Sequence, residues 1–207
     1  MTPKNKTKLK DAAQERMMCI TLSAREQQDA EEKTYIVEGY AAKYEPYVLF
    51  EDEYGEVKEE FKKSCFDEAD MTDIIMQFDH EGRVFARTSN GTLKVELDGV
   101  GLKIWADLSK TESARTLYEE IKAGMITKMS WRFRLGNWYY DKNTHTYVHL
   151  SIKKIYDVSA VSLPANDNTQ INARSFVDGL ISEQVRRDAE LDIKKRKLKL
   201  KIQLKGA

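Results

Sequence analysis

The sequence predicts an α+β protein: mainly antiparallel strands closed into a barrel, a few flanking helices, and a C-terminal helical, basic tail. Three observations predict it. Short runs rich in β-branched and aromatic residues recur between turn signals. Helical spacing is confined to a few stretches. So many strands within 207 residues need their edges protected, which closure achieves. That length suits one well-cored domain with appendages.

Residues 1–30 read as a polar, flexible leader: Lys4, Lys6, Lys8 and Lys10 come with no acid among the first ten residues, and "TLSAREQQDAEEK" has few apolar positions. The folded domain is expected over 31–175, opening with the strand-like "TYIVEGYAAKY". In "EVKEEFKKSCFDEAD", Val57, Phe61 and Cys65 lie four apart, which predicts a short amphipathic helix. "DIIMQFDH" follows as an apolar strand ending at His80. Asn90-Gly91 and Asp98-Gly99 then punctuate three apolar runs. Both pairs tolerate positive φ, so a three-stranded antiparallel meander is expected.

A helix comes next, with Ser109 and Glu112 as a capping box and Ala114, Leu117, Tyr118 and Ile121 on one face; Gly124 is its stop. It leads into "MITKMSWRFRL". At a period of two, Met129, Trp131, Phe133 and Leu135 share one face, while Lys128, Ser130, Arg132 and Arg134 share the other. A hairpin near "DKNT" and a strand through "HTYVHLSIKKI" follow. "YDVSAVSLPAN" is an apolar run closed by Pro164, of the kind buried on both faces. Residues 176–207 form the tail. Val177, Leu180, Ile181 and Val185 keep a helical pattern, and "LKLKIQL" alternates as a strand or an induced amphipathic segment.

The totals exclude several classes. Lys+Arg and Asp+Glu are both 34, so net charge argues for neither nucleic acid nor a membrane surface. The basic tail lacks aromatic residues for base stacking. No signal-peptide h-region and no run of about 20 apolar residues is present. Cys19 and Cys65 have no redox or metal spacing, which suits a reducing cytoplasm. His145 and His149 lie four apart, too far along a strand to clasp one ion, so no metal or other cofactor is implied.

Ser130 is the residue that raises a chemical question. A small hydroxyl among cations is either an ordinary strand-face residue or a nucleophile in an electropositive cleft. A serine nucleophile needs a base, and His80, ending an apolar strand before a turn, is placed to face a cleft. Its bland alternative is a strand-terminal histidine satisfied by backbone. Asp157 shares a face with Ile155, Ser159 and Val161 in an apolar run, where a carboxylate needs a partner. An imidazole N–H is one such partner; Lys153 or Lys154 is another.

At this point the residues resemble a known family. "VEGYAAKY", "CFDEA", "FDHEGRVFARTSNGTLKVELDGVGL", "YEEIKAGMITKMSWRFR" and "YDVSAVSLPANDNTQINAR" are similar, in order and spacing, to the prohead (capsid-maturation) serine proteases of tailed bacteriophages, which share the herpesvirus assemblin fold. The resemblance runs from about Tyr35 to Arg174. It implies His80 as general base, Ser130 as nucleophile and an acid at Asp157. The assemblins use a second histidine as third member, so His145 and His149 stay open as substitutes. Backbone N–H groups near Arg132 or in "PANDN" are the oxyanion candidates.

The resemblance further implies an endopeptidase working inside the assembling procapsid in the host cytoplasm. Its substrates would be the scaffold segment, the major capsid protein and other copies of itself. The alternatives are a catalytically silent capsid assembly protein of the same fold and a β-barrel binding module using the cationic face.

Overall fold

The computed structural model describes residues 13–25, 34–162, 184–199 and 201–202. Strands dominate it, in three hydrogen-bonded sheets around one core. In chain order the strands are β1 (Ala13–Thr21), β2 (Ser23–Arg25), β3 (Ile36–Lys43), β4 (Tyr47–Asp52), β5 (Gly55–Phe61), β6 (Ile75–Phe78) and β7 (Glu81–Arg87). Then come β8 (Leu93–Leu97), β9 (Gly101–Asp107), β10 (Lys128–Leu135), β11 (Trp138–Asp141), β12 (Thr146–His149) and β13 (Ile152–Val161). Helix α1 is Glu112–Lys122, and α2 covers 184–199.

The largest sheet runs β1-β10-β13-β6-β7, and the others run β11-β12-β5-β4 and β2-β3-β9-β8. The α+β class stands, but the expected closed barrel does not form. Each sheet keeps two edge strands, and two pairings, β12 with β5 and β13 with β6, are parallel. The sheets bury their apolar faces by packing on one another, which removes the need for closure. Edge β7 begins with the exposed Glu81, Gly82 and Arg83, and edge β8 exposes Lys94 and Glu96, charges that discourage further pairing.

The core fixes the Ser130 strand from behind. Met129, Trp131 and Phe133 are fully buried and Leu135 nearly so. The Trp131 ring stacks on Phe133 at 4.1 Å and meets Phe61 of β5 edge-on at 5.3 Å. Phe66 closes the cluster at 5.9 Å from Trp131. These contacts tie the largest sheet to the β5 sheet by packing aromatic faces and edges.

Three local expectations are corrected. Residues 56–70 are not a helix: β5 is followed by a 3-10 turn, Lys63–Phe66. Spacing of four also fits a strand, and Val57, Glu59 and Phe61 make its buried face. Asn90-Gly91 does not join a hairpin. Gly91 ends a 3-10 turn at φ 76, and β8 leaves β7 to pair with β9, so only the Asp98-Gly99 hairpin of the meander forms. The α1 cap is Thr111, whose hydroxyl accepts from Ala114 N–H at 3.1 Å, rather than Ser109. The expected face (Ala114, Leu117, Tyr118, Ile121) is buried, and Gly124 takes φ 73 just beyond the helix.

The strand expected through "HTYVHLSIKKI" is two strands, β12 and β13, broken at Leu150 and Ser151. The start of "LKLKIQL" is helical, at Leu198 and Lys199. Val185 lies in α2, whereas Pro164, Val177, Leu180 and Ile181 lie outside the described residues. No helix among the described residues is long and apolar enough to cross a membrane. β1 and β2 fall within the stretch read as leader, and β1 pairs with β10, setting Met17 opposite Ser130.

Candidate active site

Strands β10 and β13 of the largest sheet and the turn after β6 bring Ser130, Asp157 and His80 together. Ser130 stands opposite Ser159, and Arg132 opposite Asp157, in the antiparallel β10–β13 ladder. Side chains of paired residues share a face, so Ser130, Arg132, Asp157 and Ser159 form one polar face behind which Met129, Trp131 and Phe133 are packed. The register shifts between Arg132 and Phe133, whose partners are Asp157 and Ile155. That bulge at Tyr156 puts Ile155 on the core face with Phe133, not beside Asp157 as strict alternation predicts.

His80 is not in a strand. Phe78 pairs with Glu81, leaving Asp79 and His80 as a two-residue hairpin turn, with φ 49 and 59. Two successive positive φ angles are the mark of a type I′ turn. For residues other than glycine each such angle costs roughly 1–3 kcal/mol, a strain the surrounding contacts must hold. Asp and His are among the residues that tolerate it best.

The turn lays the imidazole over β13. Nδ1 is 2.5 Å from Asp157 Oδ1, and Nε2 is 2.6 Å from Ser130 Oγ. An ionised carboxylate only accepts, so Nδ1 carries the proton and Nε2 offers its lone pair to the hydroxyl. Ser159 Oγ donates to the same Asp157 oxygen at 2.7 Å, and Arg132 Nε lies 3.7 Å from the other. Asp157 is 1% exposed and Ser130 2%. These contacts are what make a buried carboxylate tolerable. Chemically, the line can pass a proton from hydroxyl to imidazole while the carboxylate stabilises the resulting cation.

The remaining histidines stand elsewhere. His149 is fully buried, with Nε2 2.7 Å from Glu59 Oε1 and its ring stacked on Phe61 at 4.4 Å. Tyr47 donates to the other Glu59 oxygen. His145 sits in the β11–β12 turn at φ 51, 5.9 Å from the Tyr140 ring. His149 on β12 and His145 in the turn before it belong to the β11-β12-β5-β4 sheet, whereas Ser130 and Asp157 lie in the largest sheet. Among the described residues no group of three or more His, Cys, Asp or Glu side chains could hold a metal ion. Cys65 is buried, which together with the Asp67 charge pushes its thiol up to about 12. "PANDN" lies outside the described residues.

Sequence reasoning did not assign a role to Ser159 or to Asp79. The signal for Ser159 was available: a small hydroxyl two residues from a buried carboxylate in a strand shares its face. Asp79 gave only a weak one, an acid immediately before the candidate base.

A hydroxyl, an imidazole and a buried carboxylate in one hydrogen-bonded line is the arrangement that serine hydrolases use. A model of the caudovirus prohead serine protease family matches residues 21–179. The chain belongs to that family, and so to the serine proteases at family level. No curated protein and no solved structure matches.

Proposed function

We propose that the protein is the prohead serine endopeptidase of a tailed phage, with Ser130 as nucleophile, His80 as general base and Asp157 as the orienting acid. The observation that carries the reading is the imidazole spanning 2.5 Å to one group and 2.6 Å to the other, from residues 77 and 50 positions apart.

In the first half-reaction the Ser130 proton passes to His80 Nε2 as Oγ bonds the scissile carbonyl carbon. The imidazolium then gives that proton to the departing amine as the C–N bond breaks, leaving an acyl-serine. Water repeats the sequence against the ester and restores Ser130. Asp157 stays ionised throughout, holding Nδ1–H and balancing the imidazolium charge. Lys128, Arg132 and Arg134 add positive potential on this face, which favours an oxyanion and acidic substrate segments.

The substrates in this reading are the scaffold segment, the major capsid protein and the protease itself, cut inside the procapsid. A leader over 1–30, a protease domain over 31–175 and a tail over 176–207 belong to the same proposal. β1 docks the leader beside the nucleophile strand, and removal of both ends accompanies maturation. Mass spectrometry of mature particles should find the retained enzyme without the 1–30 and 176–207 segments. Intact segments would count against self-processing.

Co-expression with the major capsid protein of the same phage tests the activity. Wild type should shorten the capsid chain, while Ser130→Ala and His80→Ala should leave it whole. Identical capsid products from wild type and Ser130→Ala would make the protein a silent assembly factor instead.

A further inference from the structure

We infer that Asp79 is a positioning residue: its carboxylate clamps the His80 turn to the end of β13 and so holds the imidazole between Ser130 and Asp157. Its importance for catalysis rests on the protease reading above, but the clamp itself can be tested without activity.

Asp79 bonds three times to the end of β13 and to Ser162, the residue just past it. Its N–H donates to Ala160 O at 2.9 Å. Its Oδ1 accepts from Ser162 N–H at 2.9 Å, and Oδ2 accepts from Ser162 Oγ at 2.8 Å. Both carboxylate oxygens are therefore spent on one residue, five positions after Asp157 and three after Ser159. β13 itself carries Asp157 and pairs with the Ser130 strand. One side chain thus ties the base to the strand that bears the acid and abuts the nucleophile.

The geometry calls for such a tie. The β6–β7 ladder is irregular near the turn, with a register shift between Met76 and Phe78, and the start of β7 is exposed. Parallel pairing of β13 with β6 ends at Ala160 and Phe78, so the turn projects past the last pair. A projecting turn with two non-glycine residues at positive φ relaxes unless something outside it holds it. Bonds to a carboxylate are stronger than neutral ones, and the two from Ser162 fix both the position and the rotation of the Asp79 side chain. His80, the next residue, inherits that fixed backbone.

The test separates carboxylate from backbone. Asp79→Gly keeps the positive φ without strain and loses the clamp. Asp79→Asn keeps the φ tolerance and can still bond Ser162 through its carbonyl and amide. The first measurement is the proton NMR signal of His80 Nδ1–H in the full chain, assigned by its loss in His80→Gln. The second is the rate at which a fluorophosphonate probe labels Ser130.

In wild type and Asp79→Asn the Nδ1–H signal should be sharp. In Asp79→Gly it should broaden beyond detection, with the amide spectrum outside the hairpin unchanged. Labelling should slow at least tenfold in Asp79→Gly and less than threefold in Asp79→Asn. A sharp signal with wild-type labelling in Asp79→Gly overturns the inference, as does a wild type with no such signal. If the NMR pattern holds while no variant labels, the clamp stands and the protease reading falls.

Discussion

Replacing Asp157 by asparagine removes one charge from the site and almost no volume, so it isolates what the charge does. In the structure Oδ1 takes the His80 imidazole at 2.5 Å and the Ser159 hydroxyl at 2.7 Å, while Oδ2 faces Arg132 Nε at 3.7 Å. All three neighbours are donors, and a carboxamide has one accepting oxygen and one NH2 group. If the oxygen stays with His80 and Ser159, the NH2 points at a guanidinium. If the amide turns round, its NH2 meets Nδ1, and the imidazole must carry its proton on Nε2. That proton then points at Ser130 Oγ, and the base can no longer accept. Either way the imidazolium loses its counter-charge at a site where Asp157 is 1% exposed and water cannot replace it. A wrong tautomer in a well-characterised serine protease triad lowers kcat about 10⁴-fold, equivalent to about 5 kcal/mol at 1.36 kcal/mol per factor of ten. Fluorophosphonate labelling of Ser130 gives the rate, and thermal melting checks that the fold survives. The expected result is a folded Asp157→Asn protein labelling about 10⁴-fold more slowly than wild type, with His80→Ala impaired further. A variant within tenfold of wild type would refute the argument, because the buried charge would then not be used.

Two further predictions concern stability. Glu59 and His149 are both fully buried and paired at 2.7 Å. Glu59→Ala removes the carboxylate shared by the buried His149 imidazole and the part-buried Tyr47 hydroxyl and should cost about 3–5 kcal/mol, read as a lower urea midpoint. A loss under about 1 kcal/mol would mean that water or a rearranged neighbour satisfies them. The Lys154 ammonium, aided by the Thr72 hydroxyl and N–H, holds the Asp70 carboxyl well below the usual carboxylate range. A carboxyl depressed in the folded state stabilises fully above its unfolded value and loses that contribution as pH falls through the folded value. The melting-temperature gap between wild type and Asp70→Asn should thus be full at neutral pH. It should start to close only below about pH 4 and vanish at the acid extreme. The gap will be small, since the pair is exposed, and a gap that widens on acidification would contradict the sign.

What the sequence disclosed depends on how local the determining contact is. The two faces of β10 could be read directly, because a regular strand between a helix stop and a turn keeps its period of two. Val57, Phe61 and Cys65 misled because spacing of four is common to helix and strand. Glu59 between them is fully buried, held there with Tyr47 and His149, 12 and 90 residues away, contacts that local spacing does not reveal. Asn90-Gly91 supplied the positive φ expected of it, at 76. What no dipeptide specifies is which strand the chain meets after the turn, and β8 found β9. The three residues of the proton line were named from residue type and resemblance. Ile155 was placed on the wrong face because a bulge at Tyr156 leaves no mark in an apolar run. Asp79 and Ser159 were passed over because an acid and a hydroxyl near a turn or strand are common, and their meaning lies in what they touch.

Irregularity is also what makes the site possible. In the order β10-β13-β6, neighbouring strands stand about 4.8 Å apart, so a residue in register on β6 sits about 10 Å from Ser130, too far for an imidazole that must also reach Asp157. Regular extension of β6 would carry residue 80 farther along the sheet and no nearer to β10. The left-handed pair Asp79-His80 instead turns the chain back into β7, on the far side of β6, and leaves the imidazole reaching across β13. On β13 itself, alternation continued from Ile155 without the bulge would aim residue 157 at Phe133 and the core. The bulge turns the carboxylate to the face that holds Ser130. Two irregularities, one in a turn and one in a strand, therefore aim the base and the acid at a nucleophile that a fully regular strand presents. It follows that restoring regularity at either place, by deleting Tyr156 or by lengthening the turn with glycine, should separate the three groups while leaving the core packing of Trp131, Phe133 and Phe61 in place.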